Sequence, residues 1–332
     1  MAKGNKPKKG SRAYWPKKRA NRIYQVFKSY ANESETMPLA FGGYKAGMTR
    51  LVFLDNRAGS ITEGQEVSIP ATVIDCPALI ICGIKVYQKS PSGLRTLKTI
   101  MAEKLAKDLG RKILSPKKPT KNKDMKLIDD QIEKVADIRL LVHTRPRDSG
   151  IRKKKPEMFE VAIGGDITSR WEYAKQKLGN EIRVEEIFKD GEFIDTKAVT
   201  KGKGFQGPVK RFGVKVRSRK NQGKRRHVGN IGATGVGRVL PGKIAMPGQL
   251  GYQTRTEYNK KIIKIGKVSD ESQINPKGGF VNYGLVKGDY VLLQGSVPGP
   301  KKRFILFRKG IRAPTNGQEP LEVKEVFLDS HQ

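Results

Sequence analysis

Apolar residues in this chain fall in short runs separated by Gly, Pro and Asp, with no single periodicity from end to end. From Met37 to Tyr87 the runs are Leu39 to Tyr44, Leu51 to Leu54, Val67 to Asp75 and Leu79 to Tyr87. They are rich in Val and Ile and alternate over short lengths, which predicts strands of a small barrel or sandwich. The same texture returns only at Ile262 to Val268, Phe280 to Leu285, Tyr290 to Val297 and Phe304 to Phe307. One β domain is therefore predicted from two distant segments, with everything between them inserted.

The insertion, from about Lys89 to Phe193, has a mixed pattern. Met101, Leu105 and Leu109 fall on one helical face, as do Ile128, Ile132, Val135 and Ala136, and again Trp171, Ala174 and Leu178. Ile138 to His143 and Phe159 to Ile163 read as strands, so an α/β insertion is expected. Two Lys-rich segments, Ser115 to Lys123 and Arg145 to Lys155, read as exposed loops able to touch a polyanion. Beyond Gly310 the tail carries Glu319, Glu322, Glu325 and Asp329 and is expected to pack on protein.

No apolar pattern of either period exists from Thr196 to Thr256. Those 61 residues hold 15 Lys and Arg, 12 Gly and no Asp or Glu. Such a segment repels itself in water and predicts order only against dense negative charge, of which a polyphosphate backbone is the obvious source. The candidate RNA contacts here are Lys201, Lys203, Phe205, Lys210, Arg211, Phe212, Lys215, Arg217, Arg219, Lys220, Lys224, Arg225, Arg226, His227, Arg238, Lys243, Gln249 and Arg255, continuing to Lys260 and Lys261. Lys and Arg supply charge and forked donors, and Phe205 and Phe212 are placed to stack on unpaired bases. The alternative for this segment is a solvated linker.

Charge changes the picture most. The formal net charge is +35, of which the acid-free segment contributes +15 and residues 1 to 32 another +10. A near-ordinary globular body with two cationic arms follows. In the first arm Arg12, Trp15, Lys17, Lys18 and Arg19 are candidate RNA contacts, and Tyr14, Tyr24, Phe27 and Tyr30 interleave with the charge; Ile23 to Tyr30 can also be read as a short helix packed on the body.

Other chemistry is poorly supplied. Gly202, Gly204 and Gly207 match a dinucleotide-loop pattern, but Pro208 follows at once and no apolar helical run comes after. The run Gly237 to Lys243 resembles a phosphate loop until Ile244, where magnesium would need Ser or Thr. Three histidines, His143, His227 and His331, and two cysteines, Cys76 and Cys82, assemble no metal-ligand spacing, so no metal or cofactor is expected. The cysteines read as core thiols of a reducing compartment. Glu185 with Glu186 and Asp129 with Asp130 are adjacent pairs on exposed faces, which argues against acid/base catalysis. The N-terminus has charge without a following hydrophobic segment, and no run is long enough to span a membrane, so a cytoplasmic protein is expected.

Three stretches carry a resemblance: Ala198 to Gly213 (AVTKGKGFQGPVKRFG), Gly251 to Ile262 (GYQTRTEYNKKI) and Gly295 to Pro300 (GSVPGP). With Arg12 to Pro16 and Phe41 to Thr49 they resemble large-subunit ribosomal protein three in its archaeal and eukaryotic form. The resemblance spans essentially the whole chain. It implies a mainly β fold, a translation-protein-type β-barrel with an α/β insertion and long basic extensions. It also implies a structural, non-enzymatic constituent that binds large-subunit (23S-type) rRNA early in assembly beside neighbouring ribosomal proteins, with a finger reaching toward the peptidyl transferase centre. The partition expected is a basic arm over 1–36, barrel over 37–88, insertion over 89–193, finger over 194–256, barrel over 257–310 and a tail over 311–332. Eukaryotic members carry a tryptophan near the finger tip after an Ile-Gly-x sequence; here Ile231-Gly232-Ala233 is followed by Thr234, so its role does not carry over. In bacterial members the glutamine matching Gln249 is a methylation site, which makes Gln249 a candidate for modification here. The competing reading is an RNA-modifying enzyme that grips its substrate with the arms.

Overall fold

The computed structural model describes residues 10–11, 14–57, 59–114, 123–232, 235, 237–239, 242, 244–268, 274–314 and 317–329. The chain divides into two compact units: residues 23–198 with 255–332 form the body, and residues 1–22 with 199–254 form the second unit.

The body is mainly β. Its first strand, β1 (Ala40–Leu54), is 15 residues long and buried on both faces at its start. The sequence pattern splits it in two because Lys45-Ala-Gly-Met-Thr interrupts the apolar run. The strand nevertheless continues through a bulge between Lys45 and Gly47, and the Lys45 ammonium donates to the Val297 carbonyl at 2.7 Å. Gly42 is needed where it stands, since a Cβ there would lie 2.3 Å from the Phe304 ring.

β2 (Glu66–Asp75) pairs with β1, but β3 (Leu79–Ser90) leaves this sheet. It centres a second one, with the hairpin partner β4 (Gly93–Met101) on one side and β5 (Val135–Thr144), followed by β6 (Met158–Ala162), on the other. The short β7 (Glu181–Ile182) also pairs with β3. Leu79, Ile81, Ile84 and Val86 are all buried, so β3 belongs to the core of the inserted layer, not to the first barrel segment.

Further along come β8 (Phe193–Val199), β9 (Gly202–Gln206), β10 (Gly248–Gly251), β11 (Thr254–Lys267), β12 (Asp289–Gln294), β13 (Phe304–Lys309) and β14 (Glu322–Val326). The first sheet runs β13-β8-β11-β12-β2-β1-β14, and β13 also pairs with β1. Six strands therefore close on themselves, while β14 extends the far half of β1, pairing Leu51 with Val326. The acidic tail thus packs on protein.

Three expected elements are different. Met101 ends β4, and Leu109 sits in a short 3-10 turn (Lys107–Arg111), so the helical spacing of Met101, Leu105 and Leu109 describes no helix. The Ile128 stripe is split: α1 (Lys123–Asp129) stops before a 3-10 turn over Ile132–Lys134, and Val135 already begins β5. Phe280–Leu285 is a turn, with Asn282 at φ 64° and Gly284 at φ 106°, a conformation no strand adopts. The expected helix over Trp171 is present as α2 (Ile167–Lys177), with Trp171 and Ala174 buried and the Trp171 indole donating to Asp129 at 2.5 Å.

One core joins both layers of the body. Phe304 meets Tyr44 at 5.6 Å and Phe159 of β6 at 5.3 Å between ring centroids, and Phe307 meets Phe41 at 5.9 Å and Phe188 at 5.4 Å. Aromatic pairs at these distances add to the burial of apolar area. Residues 23–36 are part of this body without forming a helix. Phe27 is buried beneath the Arg308 guanidinium, 4.4 Å from its ring centroid, and Lys197 donates to the Val26 carbonyl at 2.8 Å. Arg308 in turn pairs with the fully buried Asp195 at 3.1 Å.

Candidate nucleic-acid interface

The second unit contains no Asp or Glu at all, against 22 Lys and Arg. Its organisation begins with glycine and proline. β9 and β10 pair antiparallel, Gln206 opposite Gly248 and Phe205 opposite Gln249. Pro208, at the first helical position after Gly207, starts the short α3 (Pro208–Phe212), where a missing N–H costs nothing. Gly213 ends it at φ 66°, donating to the Val209 carbonyl at 2.9 Å.

This turn does what the charge pattern alone could not predict: it makes a small apolar centre. Phe212 is 4% exposed, with Pro208 and Ala245 also buried. Gly10 packs on the Phe212 ring so closely that a Cβ there would approach it to 2.5 Å. The Lys17 ammonium lies 4.5 Å from the same centroid. Ala20 donates its N–H to the Tyr252 carbonyl at 2.8 Å, so residues 14–22 belong with the finger as one unit. The N-terminal arm read from sequence as a single segment thus divides between Arg22 and Ile23.

Arg211 fastens this unit. Its guanidinium donates to the carbonyls of Gln249 at 3.0 Å and Met246 at 2.8 Å, and reaches that of Lys17 at 3.5 Å. Partial burial pulls its pKa down from the ordinary arginine value. Farther out, Arg217 and Arg225 exchange bonds: the Arg217 N–H donates to the Arg225 carbonyl at 3.1 Å, and the Arg225 side chain donates to the Arg217 carbonyl at 3.0 Å. The loop so closed presents Arg219, Lys220 and Lys224 to solvent, and Arg226 and His227 just beyond it are exposed as well. Val216, Gly223 and Lys224 to His227 line a concavity of about 650 Å³.

The sequence-derived candidates fall into distinct groups. Trp15, Lys18, Arg19, Lys201, Lys203, Phe205, Lys210, Lys215, Arg219, Lys220, Lys224, Arg225, Arg226, His227 and Arg238 are exposed on the second unit, Phe205 by 76%. Lys17, Arg211, Arg217 and Gln249 are half-buried and engaged within the unit. Phe212 is buried, so its ring faces the unit's own interior and not a base. Gln249 uses its side-chain nitrogen to donate to the Leu250 and Gly251 carbonyls, both at 3.0 Å. Arg255, Lys260 and Lys261 belong to the body: Lys260 pairs with Glu257 at 3.0 Å, and Lys261 is 5% exposed, its pKa lowered by burial. Arg12 and Lys243 lie outside the described residues, as does most of the Ser115 to Lys123 loop and His331.

The chemistry available to such a surface is charge neutralisation, forked donation to phosphate oxygens and stacking on exposed rings. The described residues contain no cluster of His, Cys, Asp and Glu arranged to hold a metal ion, and no helix long and apolar enough to cross a membrane. Cys76 and Cys82 are buried free thiols, both pushed up by burial, Cys82 to about 12.

Comparison with known proteins is unambiguous. The profile of the family described as Ribosomal protein L3 matches residues 1–332. A protein of Methanothermobacter thermautotrophicus named Large ribosomal subunit protein uL3 is 44% identical over 336 residues, covering 100% of this chain and 99% of that one. Proteins of the same name from Methanosphaera stadtmanae and Methanococcus aeolicus are each 43% identical, over 336 and 333 residues, with 100% and 99% of this chain and 99% and 98% of theirs covered. The chain belongs to the ribosomal protein L3 family.

Proposed function

We propose that this protein is a structural constituent of the large ribosomal subunit whose acid-free unit lies against large-subunit ribosomal RNA. Membership of a family of structural ribosome components makes it a ribosomal protein and not an enzyme, and places it with the RNA and proteins of the large subunit. The residue-level reading is ours: exposed Lys201, Lys203, Lys224, Arg225, Arg226 and Arg238 neutralise phosphates, and Phe205 and Trp15 stack on unpaired bases. In this reading residues 199–254 form the finger that penetrates the RNA toward the peptidyl transferase centre, and the body is the platform outside it.

The observation that carries this reading is the second unit's charge. A stretch of sequence with 22 cations and no carboxylate has no means of neutralising itself, and an RNA backbone supplies the missing charge along its length.

The test is binding to large-subunit rRNA and to an unrelated RNA of equal length across a salt series. It uses the full chain and a variant carrying Lys224, Arg225 and Arg226 all changed to Gln. Each lost phosphate contact lowers the log–log salt slope by about 0.7 to 0.9, so three lower it by roughly 2 to 3. Equal affinity of the full chain for both RNAs at every salt concentration would refute specific recognition.

A further inference from the structure

The body carries a second cationic site that the arms do not explain. Loops from both layers line an open cavity of about 960 Å³, rimmed by Arg111, Arg147, Arg152, Lys154, Lys287 and Lys302. Arg147 is held by Asp108 at 2.6 Å. The other five pair with no acid among the described residues. The floor contains the buried Phe280 and Tyr283, the latter donating its hydroxyl to Asp75 at 2.6 Å.

Backbone conformation sets this cavity apart. Six non-glycine residues are found at positive φ among the described residues, and three of them line it: Arg152 at 55°, Asn282 at 64° and Lys302 at 68°. Left-handed backbone at side-chain-bearing residues is costly and concentrates at binding sites. Glycine would adopt these angles without cost, yet two of the three positions carry a cation and the third a carboxamide. Turn hydrogen bonds hold two of these backbones, Lys302 N–H to the Lys45 carbonyl and Phe280 with Gly284 around Asn282, while all three side chains are exposed and free of the core.

We propose that this cavity takes an unpaired nucleotide of an RNA strand, with its flanking phosphates on Arg152 and Lys302 and its base edge against Asn282. The inference rests on the reading that the chain binds ribosomal RNA, and adds a site outside the arms. An acidic peptide would need only the cations. The carboxamide offers paired donor and acceptor to a base edge, and the arginine planes offer a stacking surface. The volume suits a nucleotide and is excessive for a lone phosphate.

The experiment crosslinks the full chain to 4-thiouridine-substituted large-subunit rRNA, maps the attached nucleotides by peptide mass spectrometry, and repeats the measurement with R152G/K302G. Glycine at those angles removes charge while relieving the backbone, so the variant's thermal midpoint is expected to be no lower than that of the parent. Expected are crosslinks on peptides spanning 145–155 or 278–287, reduced at least tenfold in the variant. The salt slope should also fall by about 1.4 to 1.8, as for two phosphates. Crosslinks confined to 14–22 and 199–254, with the slope unchanged, overturn the cavity site and leave the arms' role standing. Failure of the full chain to prefer the ribosomal RNA overturns the reading beneath both. If polyglutamate binds the parent and not the variant while RNA binding is unaltered, the cavity docks protein and the proposal falls.

Discussion

Replacing Arg308 by Met tests how residues 23–36 are held to the body. Asp195 is fully buried and Arg308 is 5% exposed at its side chain, with guanidinium and carboxylate 3.1 Å apart. The same guanidinium donates to the Ser29 carbonyl and covers Phe27. Without it, Asp195 keeps, among the described residues, the N–H groups of Asn259 at 3.2 Å and Ile311 at 3.4 Å. Removing one partner of a buried pair leaves an uncompensated charge and costs about 3 to 5 kcal/mol. For a body of this size that corresponds to roughly 6 to 20 °C in melting temperature. Urea midpoints for R308M, D195N and the double variant close a cycle in which the Ser29 and Phe27 contacts cancel, because they are lost in both variants lacking Arg308. The double variant should be more stable than the sum of the two losses predicts, by about 1 to 3 kcal/mol. A cost below 1 kcal/mol for R308M, or strict additivity, would refute this account.

Other consequences are open to direct measurement. Burial raises Asp75 to about 6, against the lowering effect of the Tyr283 hydroxyl, so the folded state keeps a proton that the unfolded chain has released. Stability from this group is full below about pH 4 and is lost as pH rises through 6, some 3 kcal/mol in all. D75N should therefore flatten the fall in urea midpoint between pH 4 and 6, and an unchanged profile would place the titration elsewhere. Arg211→Lys loses the fork that holds the Gln249 and Met246 carbonyls, so amide exchange at 248–251 should quicken about tenfold while the body is unaffected. Gly42→Ala places a methyl against the Phe304 ring and should cost about 1 to 3 kcal/mol of body stability, read from the urea midpoint. Methylation of Gln249 leaves one N–H for two carbonyl acceptors, so the modified residue must give up one of its 3.0 Å bonds. Peptide mass spectrometry of native ribosomes showing an unmodified Gln249 would remove that reading.

The β character was legible because Val- and Ile-rich runs such as Val67 to Asp75 and Phe304 to Phe307 are long enough to fix their own conformation. Where tertiary pairing decides, the pattern is silent. β4 is largely exposed and reads as polar, and β14 is five residues with three charges; each exists because a neighbour's edge is available. Leu79 to Tyr87 is apolar enough for either sheet, and nothing local says which one it joins. The left-handed turn at Asn282 overrides an apolar run that reads as a strand. In the second unit the charges announced a polyanion, while the inward turn of Phe212 depends on Pro208, Gly213 and Gly10, three positions far apart in their signals. Arg211 looked like its basic neighbours because an arginine that ties up carbonyls and one that awaits phosphate are written with the same letter.

The pairing of β1 with β13 sets a timetable for synthesis. Ala40 must wait for Arg308 and Tyr44 for Phe304, so the strand that starts the body is completed by one made some 260 residues later. At translation rates of about 5 to 20 residues per second that interval is roughly 13 to 50 s. Throughout it, one edge of β1 is open to foreign strands and the rings of Phe41 and Tyr44 lack the partners that bury them. The whole cationic segment 199–254 emerges during the same interval. A nascent chain of this family is therefore both sticky along an edge and strongly attracted to any nucleic acid nearby before its fold can close, and cells that make it in quantity must shield it over that period.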